Sequence, residues 1–149
     1  MQQKGLPTVT AIIVAAGASR RMGFDKLSYR LPDGRTVLET SCALFGAHPA
    51  VDELVLVAGG NRPQCEAIAA ACPKPCTVVQ GGATRADSVH NGLAAAKGQL
   101  VAIHDAARPF ASEEVITQVL QAAAKTGAAA PAVPVKDTIK VADKDGKVV

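Results

Sequence analysis

Apolar and polar positions change period repeatedly along the chain. Residues 9–14 form a short, almost unbroken apolar run, the pattern of a strand buried on both faces. After a loop of small and cationic residues, Thr36-Val37-Leu38-Glu39 has the form of a capping box, with Thr36 capping and Glu39 reaching back. Val37, Leu38, Ser41, Cys42, Leu44 and Phe45 then share one helical face, and Pro49 lies past its end. Residues 54–57 repeat the strand signal and stop at Gly59-Gly60. Pro63 opens a helix expected over 63–72, residues 76–79 give a third strand, and Gly81-Gly82 precedes a helix over 85–96 that Gly98 closes. Residues 100–103 form a fourth strand. Ser112 is placed to cap the next helix, Glu113 and Glu114 suit its first turn, and Val115, Ile116, Val119, Leu120 and Ala123 make its inner face. Gly127 ends that helix, and residues 128–133 have the pattern of a small-residue strand. Residues 137–149 resemble the start of a hairpin turning at Asp143-Lys144-Asp145-Gly146.

This alternation predicts an α/β fold: a three-layer, Rossmann-like domain with a mainly parallel central sheet and right-handed crossovers. Ligands of such sheets lie beyond the carboxyl ends of the strands. The unusual loops, after Val14, Val79 and Ile103, all follow strands. The division expected is a nucleotide-binding domain over 1–135 and the start of a β-arm over 136–149. The chain stops at Lys147-Val148-Val149 within that apparent strand, as a piece of a longer chain would; a short edge strand is the alternative.

Composition refines this picture. Apolar residues make up 48% of 149 and aromatics only 3%, so the core is built from Val, Ile, Leu and Ala, which suits a parallel sheet covered by helices. A net charge of +3 without a Lys/Arg run gives no argument for nucleic acid. No apolar run reaches the roughly 18 residues of a membrane helix, and residues 1–7 lack a signal-peptide core. A cytoplasmic protein with no membrane partner is the expectation. Cys42, Cys65, Cys72 and Cys76 make no CxxC pair, which favours reduced packing thiols over a metal site.

The chemistry begins after the first strand, in Ala15-Ala16-Gly17-Ala18-Ser19-Arg20-Arg21-Met22-Gly23-Phe24-Asp25-Lys26. Small residues let backbone N–H groups approach a polyphosphate, while Arg20, Arg21 and Lys26 offer charge. The segment fails the P-loop pattern, because Phe24 follows Gly23, and fails G-x-G-x-x-G, because Ser19 stands at the second glycine. The Gly81-Gly82-Ala83 turn could pass its backbone along a flat base, with Ser88 supplying a hydroxyl. Asp105, at the end of the fourth strand, suits Mg²⁺, which takes one or two carboxylates plus substrate phosphates. The bland reading of Asp105 is a loop cap, and that of His104 is a packed, hydrogen-bonded histidine.

The loop Ala-Ala-Gly-x-x-x-Arg-Met-x-x-x-Lys resembles the signature of nucleotidyltransferases that activate sugars and alditol phosphates. With Gly-Gly-x-x-Arg-x-x-Ser-Val-x-x-Gly-Leu, then Asp-Ala-Ala-Arg-Pro, then Val135-Lys136-Asp137-Thr138-Ile139-Lys140, the chain resembles the 2-C-methyl-D-erythritol 4-phosphate cytidylyltransferases from about Val9 onward. That resemblance implies transfer of CMP from CTP to 2-C-methyl-D-erythritol 4-phosphate with release of pyrophosphate, in isoprenoid precursor biosynthesis. It implies that Arg21 and Lys26 stabilise the transition state. Ala15, Ala16, Gly17, Gly82, Ala83 and Ser88 would hold CTP, with Asp105 and Ala106 near its phosphates and the Mg²⁺, and Thr138 would face the acceptor. It further implies a homodimer joined by an exchanged arm. Ser19 stands where glycine is frequent in the family, and Ala83 where an acidic residue is. Ribitol-5-phosphate cytidylyltransferase and a non-catalytic nucleotide-binding protein are the alternatives; the presence of both Arg21 and Lys26 favours catalysis.

Overall fold

The computed structural model describes residues 7–17 and 24–148. Strands β1 (Val9–Ala15), β2 (Glu53–Ala58), β3 (Cys76–Gln80) and β4 (Leu100–Asp105) form one parallel sheet in the order β3-β2-β1-β4. Helices α1 (Val37–Ala47), α2 (Arg62–Ala71), α3 (Arg85–Ala95) and α4 (Glu113–Thr126) alternate with them, and a short 3-10 turn spans Lys26–Ser28.

The unbroken apolar run of β1 follows from its central place. Ile12 is paired with Val55 on one side and Ile103 on the other, so β1 has no free edge, and every residue of it but the half-buried Val14 is buried. Ala11, Ile13 and Ala15 pack toward Leu38, Cys42 and Phe45 of α1, Cys65 of α2 and Leu120 of α4. Ile12, Val55 and Val57 pack on the opposite face, toward Ala95 of α3. Helices therefore cover both faces, the three-layer arrangement expected. Burial pushes the Cys65 thiol up to about 11 and Cys76 up to about 12 and raises Cys42 as well, so these thiols serve as protonated packing groups.

The caps set the helix starts. The Glu39 N–H donates to Thr36 Oγ1 at 3.1 Å, and the Thr36 N–H donates to Glu39 Oε2 at 2.6 Å, the expected capping box. Ser112 caps α4 through Val115, and Gly127 closes it at φ +89°, a left-handed conformation that glycine adopts without strain. Thr84 and Asp87 form a second capping box, at α3. His48, 2% exposed, ties α1 to α4: its Nδ1 accepts the Ala50 N–H, so Nε2 carries the proton and faces the Glu113 carbonyl at 3.2 Å.

Two buttressing carboxylates give the fold an acid dependence. The Thr36 N–H holds Glu39 below its ordinary value of 4.5. Burial pushes Glu53 up, but the Thr10 hydroxyl and the Lys97 N–H outweigh it and hold Glu53 low as well. A depressed folded pKa contributes stability that is complete above the ordinary value and disappears as pH falls through the lowered one. The double variant Glu39→Gln/Glu53→Gln should thus lose less stability than the parent between about pH 6 and about pH 3. Urea midpoints across that window check it, and an unchanged pH slope refutes it.

One expected strand is absent. Residues 128–133 enter no ladder and are exposed. Pro131 and Pro134 lack the N–H a ladder needs, and three consecutive alanines offer little to bury. The segment instead runs beside a groove of about 510 Å³ between β4 and α4. The expected hairpin is reduced to its turn: the Gly146 N–H reaches the Asp143 carbonyl, and Ala142 and Val148 form a single antiparallel bridge. No described helix is long and apolar enough to cross a membrane.

Candidate active site

From β1 the chain crosses to β2 and β3 on one side, then returns to place β4 on the other. The sheet order therefore reverses between β1 and β4, the switch point beyond whose carboxyl ends such folds form their ligand crevice. Ala15, 2% exposed, is the last residue of β1; Ala16 is half-buried and Gly17 exposed beyond it.

Close backbone approach explains the glycines around this point. A Cβ on Gly59 would lie 2.7 Å from the Ala16 carbonyl oxygen, and one on Gly81 would lie 2.4 Å from Ala16 Cβ and 3.0 Å from Ser88 Oγ. The ends of β1, β2 and β3 are thus packed on one another without room for a methyl group. Gly81→Ala should cost about 1–3 kcal/mol of stability by overpacking against Ala16. Thermal unfolding checks this; a neutral variant would show that the loops do not share this packing.

Ser88 is 3% exposed and anchored within the protein: its hydroxyl donates to the Thr84 carbonyl at 3.0 Å and accepts the Gly82 N–H at 3.1 Å. It thereby fixes the turn on which Gly82 and Ala83 stand exposed.

Across the crevice, Asp105 ends β4 with its side chain 38% exposed. Its Oδ1 accepts from Arg85 Nη2 at 2.8 Å and Nε at 3.2 Å, while Arg108 Nε lies 3.5 Å from Oδ2. Arg85 belongs to α3 and Arg108 to the loop after β4, so this carboxylate links two of the motifs. His104 packs its ring 4.7 Å from that of Phe45 and donates through Nε2 to the Arg108 carbonyl at 2.9 Å. Burial lowers its pKa, so it is a neutral clamp on the turn, the packed histidine expected. Ala106 is fully buried; its N–H reaches the Val14 carbonyl at 3.1 Å and its carbonyl accepts from Ser41 Oγ at 2.7 Å. Both of its backbone groups are thus used to seat the turn.

Lys26 opens the 3-10 turn. Asp25 caps that turn, accepting from the Leu27 N–H at 3.0 Å and from Ser28 Oγ at 2.5 Å, and Leu27 is buried. Arg21 lies outside the described residues, as do Ser19 and Arg20. Thr138 is described but exposed and outside regular structure. Arg85 and Arg108 contact Asp105, Ser41 contacts Ala106 and Asn61 contacts Ala15, and none of these four was expected to do so. Only the Arg85 and Arg108 positions within the two motifs hinted at them. Among the described residues no cluster of three or more His, Cys, Asp or Glu could hold a metal. The single, partly exposed carboxylate of Asp105 nonetheless fits Mg²⁺, which takes one or two protein carboxylates and fills the rest of its coordination with water and substrate oxygens.

A doubly covered parallel sheet, with small residues ending β1 and a carboxylate ending the neighbouring β4, defines an α/β domain of the nucleotidyltransferase type. A family model described as 2-C-methyl-D-erythritol 4-phosphate cytidylyltransferase matches residues 9–149. The protein of that name from Symbiobacterium thermophilum is 45% identical over 144 residues, covering 95% of this chain and 61% of its own length. The bifunctional enzyme IspD/IspF of Anaeromyxobacter dehalogenans is 45% identical over 141 residues, covering 94% of this chain and 36% of its own. Among solved structures, the 4-diphosphocytidyl-2C-methyl-D-erythritol synthase of Anaerococcus prevotii matches with a TM-score of 0.75 at 31% identity, covering 95% of this chain and 62% of that one. The 2-C-methyl-D-erythritol 4-phosphate cytidylyltransferase of Thermus thermophilus matches with a TM-score of 0.68 at 35% identity, covering 95% and 63%. The chain belongs to the 2-C-methyl-D-erythritol 4-phosphate cytidylyltransferase family. It spans less than two thirds of the length of these relatives.

Proposed function

We propose that this chain carries the CTP-binding part of an enzyme that transfers CMP from CTP to 2-C-methyl-D-erythritol 4-phosphate, releasing pyrophosphate. The observation that carries this reading is the family match over 9–149; the placement of Ala15, Gly81 and Asp105 at the carboxyl ends of neighbouring parallel strands or just past them supports it. Ala15, Ala16 and Gly17 would present backbone N–H groups to the triphosphate, and Gly82 and Ala83 would line the base on a turn held by Ser88. Ala106 acts by seating the turn that presents Asp105. Lys26 and Arg21 would supply positive charge at the α-phosphoryl group, and Thr138 would meet the acceptor.

The acceptor's phosphate oxygen is already ionised, so the attack needs no strong general base. What the residues must supply is alignment and charge stabilisation. Mg²⁺ held by Asp105 would neutralise charge on the phosphates. Arg85 and Arg108, paired with Asp105, would offer further positive charge to the same phosphates. The exposed apolar side chains of Ile139, Val141 and Val148 support residues 136–149 as the start of an arm that joins two subunits.

Pyrophosphate release should be measured with each of the four nucleoside triphosphates against methylerythritol phosphate and ribitol 5-phosphate, using a chain extended to the family's full length. Turnover confined to CTP and methylerythritol phosphate is expected. Preference for ribitol phosphate would reassign the acceptor, and binding of CTP without turnover on either would make this a nucleotide-binding protein.

A further inference from the structure

Asn61 stands at the N-terminus of α2 but does not behave as a helix cap. Asparagine is favoured there because its side-chain oxygen can accept an N–H of the first turn, yet Asn61 makes no such bond. Its amide instead bridges two strand ends. Oδ1 accepts the Gly59 N–H at 2.9 Å, and Nδ2 donates to the Ala15 carbonyl at 3.2 Å. Ala15 is where β1 delivers the chain to the crevice, and Gly59 is packed against Ala16 too closely for a Cβ. One side chain therefore fixes both partners of that contact. Only an amide offers a donor and an acceptor at this reach without adding charge.

The same turn of α2 reaches a second part of the site. Gln64 Nε2 donates to Thr36 Oγ1 at 3.4 Å, and its Oε1 lies 3.4 Å from Ser28 Oγ. Ser28 closes the turn that begins with Lys26. The first turn of α2 thus touches the residues on both sides of the small, cationic loop.

We propose that Asn61 is a positioning residue for the nucleotide, holding the backbone of residues 15–17 and the Gly59 loop in the geometry that receives the triphosphate. This rests on the CTP-binding reading above. It acts through the Ala15 and Gly59 backbones, as a preorganising brace, and its loss is felt as weaker binding.

The test uses Asn61→Ala and Asn61→Ser in a chain extended to the family's full length. Serine can cap a helix but is too short to span both partners. Asn61→Ala should raise the KM and the calorimetric Kd for Mg²⁺–CTP about tenfold, the scale of a small misplacement of bound substrate, with a smaller fall in kcat. The Gly59 amide should exchange faster with deuterium, and Asn61→Ser should show the same CTP defect. Wild-type CTP affinity in Asn61→Ala, or its recovery in Asn61→Ser, would overturn the positioning role while leaving the CTP reading intact. A parent protein that fails to bind CTP would overturn both.

Discussion

Replacing Lys26 by alanine is expected to lower kcat by about 10²–10³, or roughly 3–4 kcal/mol, the cost of removing one charge-stabilising donor from a preorganised site. The magnitude follows from what the reaction demands. In the proposed reaction an ionised phosphate attacks a phosphorus surrounded by negative oxygens, and charge accumulates there as the transition state forms. A cation on a fixed support lowers that barrier without reorganising at the moment of reaction. The support at Lys26 is fixed: Asp25 caps the turn on two donors, Leu27 is buried beneath it, and the Tyr29 N–H closes back onto the Lys26 carbonyl at 3.2 Å. These restraints use the backbone and neighbouring side chains, so the turn should survive the substitution. CTP affinity should fall less than turnover, because the contribution is made chiefly in the transition state. Steady-state kinetics and calorimetry on the full-length enzyme separate the two. Retention of most of the parent kcat would remove Lys26 from the mechanism.

Asp105→Asn should lower turnover by about 10² or more, since a metal that neutralises phosphate charge is worth several kcal/mol. The substitution preserves shape and removes one negative charge. Arg85 and Arg108 now share that charge, so the variant leaves a more positive crevice. Metal-free CTP should therefore bind at least as tightly as to the parent, while the gain in affinity on adding Mg²⁺ shrinks. Binding measured with Mg²⁺ and with a chelator gives both quantities. A parent-like Mg²⁺ dependence in Asp105→Asn would move the metal to another residue.

The elements of the fold were largely legible because each carries its own local signal. The β1 run is apolar on both faces, Thr36 and Glu39 form a reciprocal cap, and Gly127 takes a left-handed turn. Each depends on residues within a few positions of one another, so spacing alone reveals it. The strand expected at 128–133 failed for a related reason: a strand is completed by a neighbour, and small residues interrupted by prolines give little drive to acquire one. The loops that follow strands were equally visible, because small residues and cations beside a strand end are uncommon.

What the sequence by itself determined is therefore the alternation of elements, their caps, and the motifs that assign the chain to its family. What only the tertiary structure decided is how those motifs engage one another. Arg85 and Asp105 are separated by 20 positions and meet as an ion pair, and Asn61 reaches 46 positions back to Ala15. Ser88 and Ala106 turn their hydrogen bonds inward to shape the loops. The physical reason is that a polar side chain chooses its partner by distance and direction, which the parallel register of four strands sets, and that register does not exist until the chain has folded.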